Sequence, residues 1–227
     1  MIHSGSRNLG SRVADYYNKS AKELNAKWFS SVQSKKDLAF LPLDYQEAQE
    51  YIIQMEFCVE FALANRKVMM DKVLGVLAIN VGRMIIADSD EMINIAHNYA
   101  RQENHFGSNV WVHRKGATSA RKGELGIIPG SQGSKSYIVR GLGNKDSFES
   151  CSHGAGRVMG RKEAKRKLDL EKEIKILDEQ DIVHGIRNIN DLDEATSAYK
   201  NIEQVMTNQS DLVEVVTELF PILSIKG

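Results

Sequence analysis

The sequence predicts an α+β fold, with an N-terminal helical stretch followed by a β-rich, glycine-rich half. Apolar residues recur at helical spacing before about residue 84, whereas short β-branched segments separated by glycines follow between residues 92 and 157. Residues 107–160 hold 11 of the 17 glycines. No internal repeat or low-complexity linker divides the 227 residues, so a single domain is the simplest prediction.

Two long helical segments are predicted in the first half. The first runs from residue 11 to about residue 29, and Leu41-Pro42 breaks the chain after it. Asp44-Tyr-Gln-Glu47 is a capping-box pattern that opens the second helix, and residues 65–84 continue it or form another. Its apolar stripe comprises Ala48, Ile52, Met55, Val59, Ala62 and Leu63. Cys58 and three methionines, Met69, Met70 and Met84, are interpreted as core-filling side chains.

Short strands are predicted at residues 92–97, 109–113, 127–128 and 137–139, where β-branched residues are frequent. A charged helix follows over residues 161–177, and a loop continues through residues 188–191. Short helices are expected over residues 198–205 and 211–219, the second capped by Ser210. Residues 220–227 are interpreted as a closing strand.

Charge is distributed unevenly along the chain. The 30 Lys/Arg and 30 Asp/Glu residues cancel, but residues 111–167 hold 13 Lys/Arg against 4 Asp/Glu. The whole chain therefore has no net attraction for nucleic acid, whereas this segment has a local one. No apolar run approaches the roughly 20 residues of a membrane helix, and no signal-peptide pattern is found. Two cysteines cannot form a disulfide framework, so a cytoplasmic protein is expected.

The segment Cys151-Ser-His-Gly-Ala-Gly-Arg157 carries the clearest chemical signal. A neutral imidazole can attack phosphorus, and an ordinary pKa of about 6.5 leaves His153 mostly neutral in the cell. Gly154, Ala155 and Gly156 leave room for a phosphorylated group, which Arg157 could neutralise. The alternative is a histidine in a glycine-rich loop that has no catalytic task.

Two familiar nucleotide-binding motifs are rejected. Gly130-Ser-Gln-Gly-Ser-Lys-Ser136 resembles a P-loop, but Ser134 separates the second glycine from the lysine, and a strand rather than a helix follows. Gly141-Leu-Gly143 is only a fragment of a dinucleotide-binding motif. Ser131 and Ser136 could still contact a phosphate or a nucleoside.

The other histidines leave alternatives open. His3 and His97 lie at predicted strand ends beside small polar residues, where a structural role is favoured over metal ligation. His105 and His184, in polar segments, are interpreted as structural. No pair has the spacing of a local metal-binding motif, so a metal site would be assembled from distant segments.

These segments together resemble the RtcB family of RNA ligases. The matching motifs occur in the family's order over the whole chain: His3-Ser-Gly-Ser-Arg7, His97-Asn-Tyr99, residues 113–118, residues 128–140, residues 151–157, Ala198-Tyr-Lys200 and Lys226-Gly227. The resemblance implies an RtcB-like fold, of which residues 1–227 form one partial domain, the C-terminal portion. Family members are longer on the N-terminal side, where they carry further metal ligands and an acidic residue that binds guanine.

The resemblance implies a GTP- and Mn²⁺-dependent RNA ligase. It would join RNA ends carrying a 3′-phosphate or 2′,3′-cyclic phosphate to 5′-hydroxyl ends through a guanylylated His153. His3 and His97 would be ligands in a site that holds two manganese ions when complete. The guanosine site would be lined by Ser131, Ser136, Ala155, Gly156, Tyr199 and Lys226. Phosphate or RNA contacts would come from Arg7, Arg114, Lys115 and Arg157.

The implied partners are RNA, such as tRNA halves, an archease-type activator and the N-terminal half as a separate chain. Because two ligands alone bind a metal weakly, the isolated chain is not expected to ligate RNA. One alternative is a non-catalytic RNA- or nucleotide-binding module derived from such a ligase. Another is a different phosphotransfer enzyme that uses a phosphohistidine at His153.

Overall fold

A computed structural model describes residues 1–32, 38–81 and 92–226 and confirms the α+β class. The chain divides into two compact units, residues 1–100 and 101–227. Its assignment as one partial domain stays a prediction. Among the helices of the described ranges, none has the length and apolar character needed to cross a membrane.

The first unit contains two helices, α1 (Leu9–Lys27) and α2 (Gln46–Val81), which pack against each other. Tyr17 on α1 and Met55 on α2 are buried in this contact region, and the Tyr17 hydroxyl accepts a hydrogen bond from Gln54 Nε2 at 2.7 Å. Both predicted helical segments are therefore confirmed. Cys58 is buried, as expected, whereas Met84 lies outside the described residues.

Two details of the prediction for the residues of the first unit are wrong. Helix α2 begins at Gln46, so the residue before it is Tyr45 and not Asp44, and Tyr45 O accepts the first turn's hydrogen bond from Ala48 N at 3.1 Å. The strand expected over residues 92–97 is absent from those described residues, because regular pairing begins only at Asn98. Residues 1–5 likewise have no regular secondary structure.

Nine short strands are described, mostly in the second unit: β1 (Asn98–His105), β2 (Ser108–Lys115), β3 (Ala117–Ser119), β4 (Leu125–Ile128), β5 (Ser136–Gly141), β6 (Ser150–Ser152), β7 (Val183–His184), β8 (Val213–Leu219) and β9 (Leu223–Ser224). Strand β1 pairs with β2, β3 with β6, and β7 with β9, while β4, β5 and β8 form a three-stranded antiparallel sheet. The strands predicted at residues 109–113, 127–128 and 137–139 are confirmed as β2, β4 and β5.

The main core of the second unit lies between this sheet and helix α5 (Ile202–Thr207). Its buried side chains are Ala120, Ile128, Tyr137, Val139, Cys151, Ala155, Ile202, Met206 and Val213. Cys151 and Ala155 belong to the histidine-containing segment, so this core holds the segment in place on both sides of His153. A second core surrounds Leu177 and Leu192, which are fully buried.

Two predicted helices in the C-terminal part of the chain differ from the structure. Within the helix predicted over residues 211–219, Val213–Leu219 form strand β8 instead, because their β-branched side chains suit a strand that pairs with β5. The charged helix is divided into α3 (Arg161–Lys167) and α4 (Leu170–Asp178), since the Asp169 side chain caps α4 by accepting from Lys172 N at 3.0 Å.

The remaining differences are smaller. Residues 189–191 of the predicted loop belong instead to a 3-10 helix, Ile189–Glu194. Another short 3-10 helix covers Thr196–Ala198. The helix predicted from residue 198 begins only at Ile202. The closing strand is confined to the two residues of β9, which pair with β7.

Candidate functional site

His153 follows strand β6, at the start of the loop that leads to α3. Its backbone N donates to Gly116 O at 3.4 Å, which continues the pairing of β6 with β3. Gly116 has a φ of +75°, and a Cβ added there would lie 3.7 Å from Nδ1 and Cε1 of His153. The half-buried imidazole thus lies directly against Gly116, a position whose positive φ favours glycine.

The loop after His153 is fixed by two neighbouring segments. Ala155 N donates to Pro129 O, and Lys200 N donates to Gly156 O, both at 2.9 Å. Gly156 has a φ of +72°, a conformation that favours glycine. Segments that are distant in the sequence therefore lie side by side around the histidine loop.

Arg157, Tyr199 and Glu194 form a compact cluster beside this loop. Arg157 Nη1 donates to Glu194 Oε2 at 3.0 Å and to the Tyr199 hydroxyl at 3.1 Å, while its guanidinium carbon lies 4.9 Å from the Tyr199 ring centroid. The Tyr199 hydroxyl also donates to Glu194. Glu194, which the motif reasoning missed, is the common acceptor that orients both predicted site residues.

Lys226 reaches the same cluster through Asp193, the residue before Glu194. Lys226 Nζ donates to the Asp193 carboxylate, and Arg157 Nη2 donates to the Asp193 backbone O. Burial raises the pKa of Asp193, but the hydrogen bond and the charge of Lys226 outweigh burial and hold that pKa below its ordinary value. The adjacent acidic pair thus brings together Arg157, Tyr199 and Lys226.

A cavity of about 480 Å³ opens next to this cluster. Ser131 and Tyr199 line it together with Lys135, Lys200 and Glu203. Lys135 Nζ is paired with Glu218 Oε2 at 2.9 Å, so Lys200 is the lysine of the lining for which no carboxylate partner within 4 Å is described. The lining also includes Thr196, whose buried Oγ1 has no hydrogen-bond partner among the described residues. A cavity of this size with hydroxyl groups and cations on its walls suits a phosphorylated small molecule.

The other predicted guanosine residues, Ser136, Ala155, Gly156 and Lys226, do not line this cavity. Ser136 is buried, and its Oγ accepts from Gly130 N at 3.2 Å, which closes the turn that carries Ser131. A Cβ added to Gly130 would lie 2.0 Å from Lys135 O. This glycine of the P-loop-like segment therefore permits a tight turn. Ala155 is buried in the core.

His3 and His97 lie together in the first unit. Their Nε2 atoms are 3.3 Å apart, with the rings edge to face. Arg66 on α2 links the two segments, because Nη1 donates to Ser4 O at 2.7 Å and Nη2 donates to Ile95 O at 3.1 Å. The sequence motifs did not identify Arg66.

This histidine pair fits part of a metal site. Two neighbouring imidazole nitrogens can bind one divalent cation when both are unprotonated. Within residues 1–32, 38–81 and 92–226, however, no group of three or more His, Cys, Asp or Glu side chains could hold a metal ion. His3 and His97 would therefore be two of its ligands. Arg7, four residues after His3, is exposed.

Arg114 and Lys115 have opposite environments. Lys115 is exposed, whereas Arg114 is buried and forms a bidentate ion pair with Glu103 at 2.6 and 2.9 Å. Burial raises the pKa of Glu103, but hydrogen bonds from Arg114 and His105 outweigh it and lower that pKa to about 2. This geometry gives Arg114 a structural role and offers no support for the expected phosphate contact.

Hydrogen bonds and burial account for the environments of three further side chains, His105, His184 and Cys151. His105 is buried and bonds to Glu103 at 3.0 Å, while His184 Nε2 lies 3.3 Å from Asp178 Oδ1, in keeping with structural roles. Burial raises the pKa of Cys151 to about 11. The Cys151 thiol is therefore protonated at neutral pH and is a poor nucleophile beside His153.

The whole chain is similar in sequence to known proteins. The family model for the tRNA-splicing ligase RtcB matches residues 1–227. The RNA-splicing ligase RtcB of Escherichia coli K12 is 40% identical over 230 residues, which cover 100% of this chain and 55% of that protein. The tRNA-splicing ligase RtcB of Nanoarchaeum equitans is 32% identical over 256 residues, covering 100% of this chain and 52% of that protein. The chain spans about half the length of the curated relatives it matches.

Proposed function

The chain belongs to the RtcB family, and on that premise we propose that it carries the nucleophile of an RNA ligase. The ligase joins RNA 3′-phosphate or 2′,3′-cyclic phosphate ends to 5′-hydroxyl ends through a guanylylated His153. The observation that carries this proposal is the position of His153 in a glycine-lined loop that Ala155 and Gly156 fasten to the Ser131 and Tyr199 segments. The relatives' names give RNA splicing as their process.

In the first step, an imidazole nitrogen of His153 attacks the α-phosphorus of GTP. A phosphorus–nitrogen bond forms, the bond to the bridging oxygen breaks, and pyrophosphate leaves. Gly116 and Gly156 leave space for the nucleotide against the backbone. The ring must be neutral to attack, so its protonation would prevent this step.

The cavity beside Ser131 and Tyr199 holds the guanosine. Arg157 and Lys226 are each engaged with acidic residues, so they contribute mainly by orienting Tyr199 and by offsetting local negative charge. Ser136 and Ala155 shape the site from behind. The GMP then passes to an RNA 3′-phosphate, and the 5′-hydroxyl oxygen attacks the activated phosphorus as GMP leaves.

His3 and His97, whose Nε2 atoms are 3.3 Å apart, would contribute two imidazole ligands to a manganese ion. Divalent ions neutralise charge on phosphoryl oxygens during displacement. Further ligands come from the part of an RtcB-type chain that these residues do not match, on the same or a separate polypeptide. We also propose that the substrate is RNA such as tRNA halves, that an archease-type protein activates the ligase, and that it works in the cytoplasm. Arg7 and Lys115 are exposed basic residues suited to RNA contacts.

Incubation with GTP labelled at the α-phosphate and Mn²⁺ tests the proposal, with and without the unmatched part of the E. coli relative. We expect acid-labile label on the chain, lost in His153→Ala and retained in His113→Ala, a matched change at an exposed histidine of β2. The proposal fails if no label appears under either condition, or if His153→Ala is labelled like the original chain.

A second candidate is a non-catalytic RNA- or nucleotide-binding module. The observation that favours it is that the described residues supply a pair of neighbouring histidines but no group of three or more side chains that could hold a metal ion. This candidate predicts GTP or RNA binding that is unchanged in His153→Ala and never leads to covalent label. The labelling experiment therefore separates the two.

A further inference from the structure

Gln209 carries a buried amide in the turn between α5 and β8, where the residue is only 4% exposed. Its backbone N donates to Met206 O at 3.2 Å, and its backbone O accepts from Leu212 N at 2.9 Å and from Val213 N at 3.2 Å. The main chain is therefore held by the turn itself, whatever side chain the residue carries. A polar side chain buried in such a place needs hydrogen-bond partners, because an unpaired amide away from water costs stability.

The Gln209 side chain directs both of its polar atoms at Ser152, the residue before His153. Its Oε1 accepts from Ser152 N at 3.0 Å, and its Nε2 donates to Ser152 Oγ at 3.2 Å. Nε2 also lies 3.4 Å from Met206 Sδ, a weak acceptor. An amide suits this task, because it offers an acceptor to the backbone N–H and a donor to the hydroxyl at the same time. One side chain thus fixes both the backbone and the side chain of Ser152.

Ser152 passes this constraint to the loop that carries His153. The Ser152 hydroxyl donates to Gly154 O at 3.2 Å, so the residues on both sides of His153 are tied to each other. His153 N donates to Gly116 O at 3.4 Å, and the imidazole lies against Gly116. A shift of residues 152–154 would turn the imidazole relative to Gly116. For a reacting atom, a misplacement of about 1 Å can cost a factor of about 10² in rate.

We propose that Gln209 is a positioning residue for His153. Through Ser152, it holds the imidazole in the direction that brings a ring nitrogen to the α-phosphorus of GTP. This inference rests on the proposed function, because attack by His153 is the step that the orientation serves. Gln209 does not line the cavity proposed for guanosine. Its replacement should therefore slow the formation of the phosphorus–nitrogen bond and leave the affinity for GTP unchanged.

The test compares initial rates of labelling with Mn²⁺ and GTP labelled at the α-phosphate, under the condition that labels the original chain. Gln209→Met keeps the length of the side chain but removes both contacts with Ser152. We expect the maximal rate to fall about 10- to 100-fold, while the GTP concentration that gives half of that rate changes by less than about twofold. Gln204→Met is the matched control at an exposed glutamine of α5, whose Nε2 donates to Asn208 Oδ1 at 2.8 Å, and it should be labelled at the original rate.

Two further variants separate positioning from a loss of stability. Val139→Ala removes methyl groups from the same core, where Val139 is 1% exposed, so it lowers stability without changing the amide of Gln209. This variant should be labelled at the original rate at a temperature where circular dichroism shows it folded. Ser152→Ala removes the hydroxyl that Gln209 holds. Combined with Gln209→Met, it should slow labelling by less than the product of the two single effects, because both changes act on one network.

An NMR measurement tests the orientation of the imidazole without GTP. A Cβ added to Gly116 would lie 3.7 Å from His153 Cε1, so the original chain should give a nuclear Overhauser effect between His153 Hε1 and the α protons of Gly116. This signal should weaken in Gln209→Met and persist in Gln204→Met and Val139→Ala.

The positioning role is overturned if Gln209→Met is labelled as fast as Val139→Ala, or if Gln209→Met keeps the Overhauser signal at full intensity. Failure of the proposed function is distinguishable from both results. Absence of label on the original chain contradicts guanylylation, and the Overhauser signal then still decides whether Gln209 orients the imidazole of His153.

Discussion

Arg114 and Lys115 are neighbours on β2, and the difference in their environments leads to a stability prediction. Arg114→Met leaves the Glu103 carboxylate buried without its bidentate partner, so the free energy of unfolding should fall by about 3–5 kcal/mol. Lys115→Met at the exposed neighbour should change it by less than about 0.5 kcal/mol. Urea unfolding followed by tryptophan fluorescence measures both, and equal effects would contradict a structural role for Arg114.

The same ion pair predicts a specific acid sensitivity. The pKa of Glu103 is about 2 in the folded chain, against an ordinary value of about 4.3 when unfolded. Because the folded pKa is the lower one, the stabilisation is fully present above pH 4.3 and is lost as the pH falls through 2. Carbon-13 NMR of the labelled carboxyl should give a midpoint near pH 2 for Glu103. A midpoint at its ordinary value would rule out the pairing.

Glu194 provides a prediction for the proposed nucleotide site. Glu194→Gln keeps the size of the side chain but removes the charge that accepts from Arg157 and Tyr199. A hydrogen bond to a charged group contributes about 1.5–3 kcal/mol, so we expect GTP affinity to weaken by about tenfold or more. Glu179→Gln, at the exposed residue that follows α4, is the control, and this variant should bind GTP as the original chain does. Calorimetric titration with GTP decides between them.

Candidate site residues that lie in short local motifs could be picked out from the sequence. The residues that contact them in the folded chain could not. His153 and Tyr199 stand in short, unusual patterns, and the structure brings their segments together. Glu194 and Arg66 lie in ordinary acidic and helical contexts. Their importance arises from side chains that approach them from distant segments, which no local pattern encodes.

At the scale of elements, strand β8 illustrates how local patterns compete. A serine cap and apolar residues at mixed spacing favour a helix over residues 211–219, but the run Val213-Glu-Val-Val-Thr217 also suits a strand. Pairing with β5 decides the outcome, because the hydrogen bonds of the sheet come from a segment that is distant in the sequence. The long helices, whose pattern is repeated over many turns, could be predicted with nearly correct bounds.

Two glycines in different elements should respond oppositely to alanine. A Cβ at Gly141 in β5 would lie 2.3 Å from Arg121 O, a backbone atom that cannot move aside, so Gly141→Ala should lower the free energy of unfolding by about 1–3 kcal/mol. Gly75 lies within α2 with no atom within 4 Å of an added Cβ. Gly75→Ala should therefore raise stability by about 0.5–1 kcal/mol. Chemical denaturation checks the signs, and destabilisation of both variants would contradict the packing around α2.

At the scale of the whole molecule, charge is balanced in total but concentrated locally. The 13 Lys/Arg of residues 111–167 all belong to the second unit, and only some of them are engaged in buried or semi-buried ion pairs, as Arg114 and Arg157 are. Exposed bases such as Lys122 and Lys162 remain at the surface. Binding of an RNA backbone should therefore depend on this stretch and not on the net charge of zero.

Salt dependence tests this distribution. Each phosphate neutralised on single-stranded RNA contributes a slope of about −0.7 to the logarithm of affinity against the logarithm of salt concentration, so five contacts predict about −3.5. Lys122→Glu and Lys162→Glu should each weaken binding of a short 3′-phosphorylated RNA and make the slope less steep by about 0.7. Lys19→Glu makes the same charge change at an 80% exposed lysine of α1 and should leave the slope unchanged. Fluorescence anisotropy across a salt series measures all four proteins. An equal loss in Lys19→Glu would mean that net charge, rather than the basic stretch, governs the attraction, because only a non-local field treats the three lysines alike.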